Sequence, residues 1–100
     1  MEIKTKVEGT KAFLDVAGKL TVNTSPELTE AVDQLPETVC DLDLDLARVD
    51  YIASAGLRVL VATEKLLIKR GGTMRILHPV DEVMEVLEMT GLSDVFTIER

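Results

Sequence analysis

Few residues in this 100-residue chain have side chains suited to covalent chemistry. There is one histidine, His78, ahead of Pro79, and one cysteine, Cys40, near the start of an apolar run. A nucleophile with its base and an orienting acid cannot be assembled from that inventory. Asp41, Asp43 and Asp45 alternate with Leu42, Leu44 and Leu46. Carboxylates at i, i+2, i+4 line one face of a strand and run along it instead of converging on an ion. They read as a sheet face left open to solvent, and no metal or cofactor is expected. Gly71-Gly72 is too short to cradle a phosphate, and no Walker-type pattern occurs.

One segment remains: Asp50-Tyr51-Ile52-Ala53-Ser54-Ala55-Gly56-Leu57-Arg58. It joins a strand to a helix, and Ser54 falls where a helix N-cap belongs, its hydroxyl accepting from an early helical amide. Capping and modification are compatible there. A hydroxyl among unpaired amides, at the positive end of the helix dipole, tolerates a phosphate. Arg58 lies one turn on, and the small neighbours Ala53, Ala55 and Gly56 leave the hydroxyl accessible to a partner or a kinase.

The elements that position Ser54 follow from pattern. Ile3 to Val7 alternates as an exposed strand, Glu8-Gly9-Thr10 turns the chain, and Ala12 to Ala17 forms a second strand that Gly18 ends. A hairpin therefore opens the chain. Ser25 as N-cap and Pro26 at the first helical position start a helix carrying Leu28, Ala31, Val32 and Leu35 on one face, stopped by Pro36. Val39 to Val49 is a third strand. Gly56 to Lys69 is the longest helix, with Leu57, Leu60, Val61 and Leu67 inward, closed by Arg70-Gly71-Gly72. Thr73 to Leu77 is a strand parallel to the third. Val80 to Met89 is a last helix with Val83, Met84 and Leu87 inward, and Val95 to Ile98 a short terminal strand. The order β-β-α-β-α-β-α-β predicts an α/β domain with a mixed sheet, an N-terminal hairpin and helices covering mainly one face.

Composition narrows the partners. The apolar share is 46% and the net charge −7, with eighteen acidic against eleven basic side chains. That surface disfavours nucleic acid and anionic lipid. A lone cysteine suits a reducing compartment. Glu2, Lys4 and Lys6 do not make a signal peptide, and no apolar run approaches the ~20 residues that span a bilayer. The expectation is a soluble, cytoplasmic, single domain over residues 1–100 without membrane insertion. No apolar stripe is left over, so the free protein is expected to be a monomer.

Val49 to Leu60, Val-Asp-Tyr-Ile-Ala-Ser-Ala-Gly-Leu-Arg-Val-Leu, resembles the signature of STAS-domain anti-sigma factor antagonists, a bacterial regulatory family. Gly18-Lys19-Leu20, Asn23 to Leu28, Leu44-Asp45-Leu46, Lys69 to Gly72 and Met89 to Phe96 agree in order and spacing, so the resemblance spans nearly the whole chain. It implies a STAS-like fold and a phosphorylation switch. The unphosphorylated protein would bind an anti-sigma factor serine kinase and release a sigma factor. The kinase would then phosphorylate Ser54, and a metal-dependent serine phosphatase would reactivate it. The partner surface would comprise Thr21, Asn23 and Thr24 with Ala53, Ser54, Ala55, Gly56, Leu57 and Arg58. Ala53 and Thr21 stand where the family often has acids, which removes negative charge near Ser54. Two alternatives remain at this point. One is a constitutive STAS adaptor subunit of a membrane transport or signalling complex; the other is a small-ligand or nucleotide binder.

Overall fold

The alternation of leucine and aspartate from Asp41 to Leu46 decides the architecture: one sheet face is apolar and must be covered, the other is charged and need not be. The computed structural model describes residues 1–100. Its elements are β1 (Glu2–Glu8), β2 (Lys11–Leu20), α1 (Ser25–Asp33), β3 (Asp41–Ile52), α2 (Ser54–Lys69), β4 (Thr73–Leu77), α3 (Asp81–Met89), a 3₁₀ turn (Leu92–Asp94) and β5 (Thr97–Glu99). The five strands lie in the order β1-β2-β3-β4-β5. β1 and β2 are antiparallel, and every later neighbour is parallel. The expected order and mixed sheet are found.

One cluster of 21 buried apolar residues forms the core. Ala12, Leu14 and Val16 enter it from β2, Leu42, Leu44 and Leu46 from β3, and Met74 and Ile76 from β4. Leu28 and Val32 of α1, Leu60 and Leu67 of α2, and Val83 and Leu87 of α3 meet them. All three helices therefore pack on the same face. The stripe on α2 differs from expectation: Val61 is only half-buried, and Thr63 enters the core instead, its hydroxyl bonded to the Val59 carbonyl. Met84 is likewise half-buried.

The strand boundaries also differ from the pattern-based ones. β2 runs through Gly18 to Leu20, and β3 continues to Ile52. In β3 the inward positions advance from Leu46 to Val49 to Ile52, in steps of three. The pairing explains this. Asp15 faces Asp45 but Ala17 faces Arg48, and Gly18 faces Val49 but Lys19 faces Tyr51. β3 thus holds one extra residue at each of two bulges, and each bulge flips which side chain points inward. A strict period of two ends the strand too early.

The uncovered face is not simply open, contrary to expectation. Asp43 is 6% exposed. Arg75 grips it with Nε to Oδ1 at 2.8 Å and Nη2 to Oδ2 at 2.7 Å, and Lys11 Nζ lies 3.2 Å away. Arg75 also reaches Glu99, so charges from β2, β3, β4 and β5 interlock across the strands. The Arg75 hydrogen bonds hold the Asp43 carboxyl below its ordinary range, against the opposing effect of burial. Asp45 meets His78, and Asp41 accepts from the Thr73 amide and hydroxyl.

The turn from α2 to β4 is fixed by two glycines. Gly71, at φ +80°, gives its amide to Ile68, and the Gly72 amide goes to Leu67, which closes α2 as a Schellman motif. Gly72 then passes so close to β3 that a Cβ there would lie 1.6 Å from the Cys40 carbonyl oxygen.

Gly72→Ala should therefore cost on the order of 3 kcal/mol or more, because backbone must move. Gly71→Ala, with open space and only a left-handed φ to tolerate, should cost about 1 kcal/mol. Urea titrations of both variants check the difference. A second expectation concerns acid. A carboxyl whose folded pKa is depressed contributes stability above its unfolded value of about 3.9, and that contribution is lost as pH falls through the folded value. Asp43→Asn should lower stability at pH 7 by about 1–2 kcal/mol, discounted for the solvent that reaches Arg75. It should also flatten the loss below pH ~4; an unchanged acid slope would contradict the assignment.

Candidate functional site

β2 and β3 are parallel neighbours, so both chains leave the sheet at the same edge. The helices that follow, α1 and α2, consequently begin side by side. The Ala53 amide still bonds to the Leu20 carbonyl at 2.8 Å, the last rung between the strands. Ala53 is then the true N-cap of α2: its backbone is extended and its carbonyl accepts from Leu57 at 3.1 Å. Ser54 is therefore the first residue inside the helix and not its cap, a correction of one position. No side chain caps α2, and Ser54 is exposed.

The loop before α1 is held by its own hydroxyls. Thr21 Oγ1 accepts from the amides of Asn23 and Thr24, both at 3.2 Å, while the Thr21 amide donates to Thr24 Oγ1 at 2.8 Å. This reciprocal pair closes the turn that leads into α1. The Thr24 hydroxyl in turn donates to the Lys19 carbonyl at 2.6 Å. Ser25 is buried, with its hydroxyl on the Thr21 carbonyl, and the N-cap of α1 is Thr24, one residue earlier than the sequence pattern placed it. Pro26, with no amide proton, falls in the first turn, where none is needed.

The expected site residues divide by depth. Ser54, Arg58 and Asn23 are exposed; Thr21, Thr24, Ala53 and Ala55 are half-buried. Gly56 and Leu57 are buried beneath them. Gly56 lets α2 settle on the strand ends, since a Cβ would stand 2.9 Å from Ile52 Cγ1 and 3.0 Å from Leu20 Cβ. Ala55 and Arg58 share an open cavity of about 310 Å³ with Val22, Ser25, Pro26, Thr29 and Val59. Ser54, Ala53, Thr21, Asn23 and Thr24 do not line it. Val22 and Tyr51, which the sequence pattern does not single out for the site, are 71% and 50% exposed. Each is a large apolar side chain among polar neighbours beside the strand-to-helix turns.

Electrostatics separate α2 from its neighbours. The first turn of α1 carries Glu27 and that of α3 carries Asp81 and Glu82, but that of α2 carries no acid. The positive end of its dipole is therefore uncompensated at Ser54. Glu64, the one carboxylate of α2, is half-buried, and burial pushes its carboxyl pKa up. No group of three or more metal-ligating side chains is assembled anywhere in the structure, and no helix is long and apolar enough to cross a membrane.

Comparison with known proteins places this geometry. Residues 2–100 match the STAS domain family. The anti-sigma-B factor antagonist of Bacillus subtilis is 33% identical over 85 residues, which cover 85% of this chain and 78% of that protein. An anti-sigma factor antagonist from Mycobacterium paratuberculosis superposes with a TM-score of 0.85 at 23% identity, covering 98% of this chain and 84% of that one. The anti-sigma factor antagonist SpoIIAA in its unphosphorylated form gives 0.77 at 16% identity, covering 99% and 89%. The phosphorylated form of SpoIIAA from Bacillus gives 0.68 at 15%, covering 99% and 92%. At these identities the solved structures speak for the fold, and the curated relative speaks for the lineage. The chain belongs to the STAS-domain family of anti-sigma factor antagonists.

Proposed function

We propose that this protein is an anti-sigma factor antagonist that binds an anti-sigma serine kinase in its unphosphorylated form and is released when Ser54 is phosphorylated. The observation that carries the reading is the position of Ser54. It is exposed, inside the first turn of α2, and caps nothing. A phosphate there would displace no capping bond and would sit at the positive end of a helix dipole.

The chemistry is simple. The Ser54 oxygen would attack the γ-phosphorus of ATP held by the kinase, ADP would leave, and the hydroxyl proton would pass to a base on the kinase. The product carries about −1.5 to −2 charge where a neutral hydroxyl stood. At the centre of an interface shaped for a neutral hydroxyl, that charge must be desolvated on binding, which weakens the complex by about 3–4 kcal/mol. A serine phosphatase would restore the neutral hydroxyl. The name of the Bacillus subtilis relative supports the partner class, and SpoIIAA, described in both phosphorylation states with this fold, supports a switch that leaves the fold in place.

Titration calorimetry against the cognate anti-sigma kinase tests this. Ser54→Asp should keep the circular dichroism spectrum and melting temperature but lose about two to three decades of affinity, equivalent to about 3–4 kcal/mol. Ser54→Ala should bind within a few-fold of the original and take no phosphate from ATP. Tight binding by Ser54→Asp would overturn the switch. Recovery of a transport complex, with no kinase, from native cells would favour a constitutive adaptor.

A further inference from the structure

Most basic side chains of this protein are already engaged. Of eleven lysines and arginines, seven pair with carboxylates of the chain. Arg70 donates to the carbonyl oxygens of Pro36 and Val39. The three that remain are Arg58, Lys65 and Lys69, all exposed and all on α2. Steps of four, seven and four residues from Ser54 bring them onto one stripe, about 22 Å long at 1.5 Å per residue. No acid stands three or four residues from any of them; Glu64, the one carboxylate of α2, is half-buried on another side of the helix.

Only part of this pattern serves the fold. Lys69, in the last turn of α2, complements the dipole, but Lys65 and Lys69 are like charges at i, i+4 and Arg58 lies near the positive end, both of which are unfavourable to a helix. The exposed acids lie on the flanking helices instead: Glu27, Glu30 and Asp33 on α1, and Glu82, Glu85 and Glu88 on α3. A cationic ridge thus stands on a protein of net charge −7. Open apolar grooves border it on both sides. One, of about 390 Å³, is formed by Leu57, Val61 and Leu92 with Arg58 and Lys65 at its rim. The other is the cavity beside Val22, Pro26 and Val59.

We propose that the stripe Ser54-Arg58-Lys65-Lys69 docks an acidic surface of the anti-sigma partner, with apolar side chains beside its carboxylates entering the grooves, and that phosphate on Ser54 withdraws Arg58 from that contact. The proposal rests on the antagonist reading and names the chemistry of the partner surface. Net charge selects a protein over a polyanion: nucleic acid and anionic vesicles are repelled by the molecule as a whole, whereas a local acidic patch meets only the ridge. Phosphoserine at position 54 and Arg58 are an i, i+4 pair of opposite charge. One modification therefore both removes a cation from the stripe and sets an anion against the partner's acids.

The test compares two variants of equal net charge, Lys65→Glu/Lys69→Glu on the stripe and Lys4→Glu/Lys6→Glu on the exposed first strand. Association with the cognate anti-sigma kinase is measured by stopped flow at 50 and 300 mM salt. The stripe variant, with an unchanged circular dichroism spectrum, should lose about tenfold or more in association rate at low salt and most of its salt dependence. The β1 variant should stay within about threefold. Equal effects of the two, or none, would overturn the stripe while Ser54→Asp still reported on the switch. Failure of the unmodified protein to bind any anti-sigma kinase would overturn both. Salt-sensitive binding of duplex DNA or anionic lipid vesicles at the stripe, lost in the stripe variant, would overturn the choice of a protein partner.

Discussion

The parallel pairing of β2 with β3 is the constraint on which the rest of the molecule depends. It joins the antiparallel opening hairpin to the parallel half of the sheet. It sends two successive strands out at one edge, so α1 and α2 must start next to each other. The threonine-built loop and the first turn of α2 become neighbours for that reason alone. Gly56 completes the arrangement by letting α2 rest almost directly on Ile52 and Leu20. A bulkier residue there would lift the helix from the strand ends and move Ser54 with it.

Much of the fold was legible because its signals are local. Alternating leucines and aspartates marked the central strand, Pro26 and Gly71 punctuated helices, and strands alternated with helices in the required order. The features that were not legible depend on partners distant in sequence. The bulges of β3 exist only in pairing with β2, so a strict alternation stopped the strand at Val49. Asp43 looked solvated because its neighbours, Lys11 and Arg75, lie 32 residues away on either side in the chain and beside it in space. Thr63 replaced Val61 in the core because helix orientation, not composition, chooses the buried stripe.

The site was legible in part. Ser54 and its small neighbours were evident, but the cap was placed one residue late at both helices, since serine is the stronger capping residue by type. Geometry reversed that preference. Ala53 is held extended by its bond to Leu20, and Thr24 is committed to Thr21 and Lys19. Thr21 stands where the family resemblance leads one to expect an acid. Its hydroxyl accepts from the amides of Asn23 and Thr24, so the turn is held here without a charge. The exposure of Val22 and Tyr51 has no signal in the sequence, because exposure of an apolar residue is a property of the folded chain.

The shift of Ser54 from cap to first helical residue has an evolutionary side. A capping serine is constrained by the fold, since replacing it costs stability whatever its signalling role. At the first helical position the hydroxyl owes nothing to folding, so the residue is free to drift. On the switch proposed above, loss or gain of that hydroxyl would change how the antagonist is regulated while leaving the scaffold as it is.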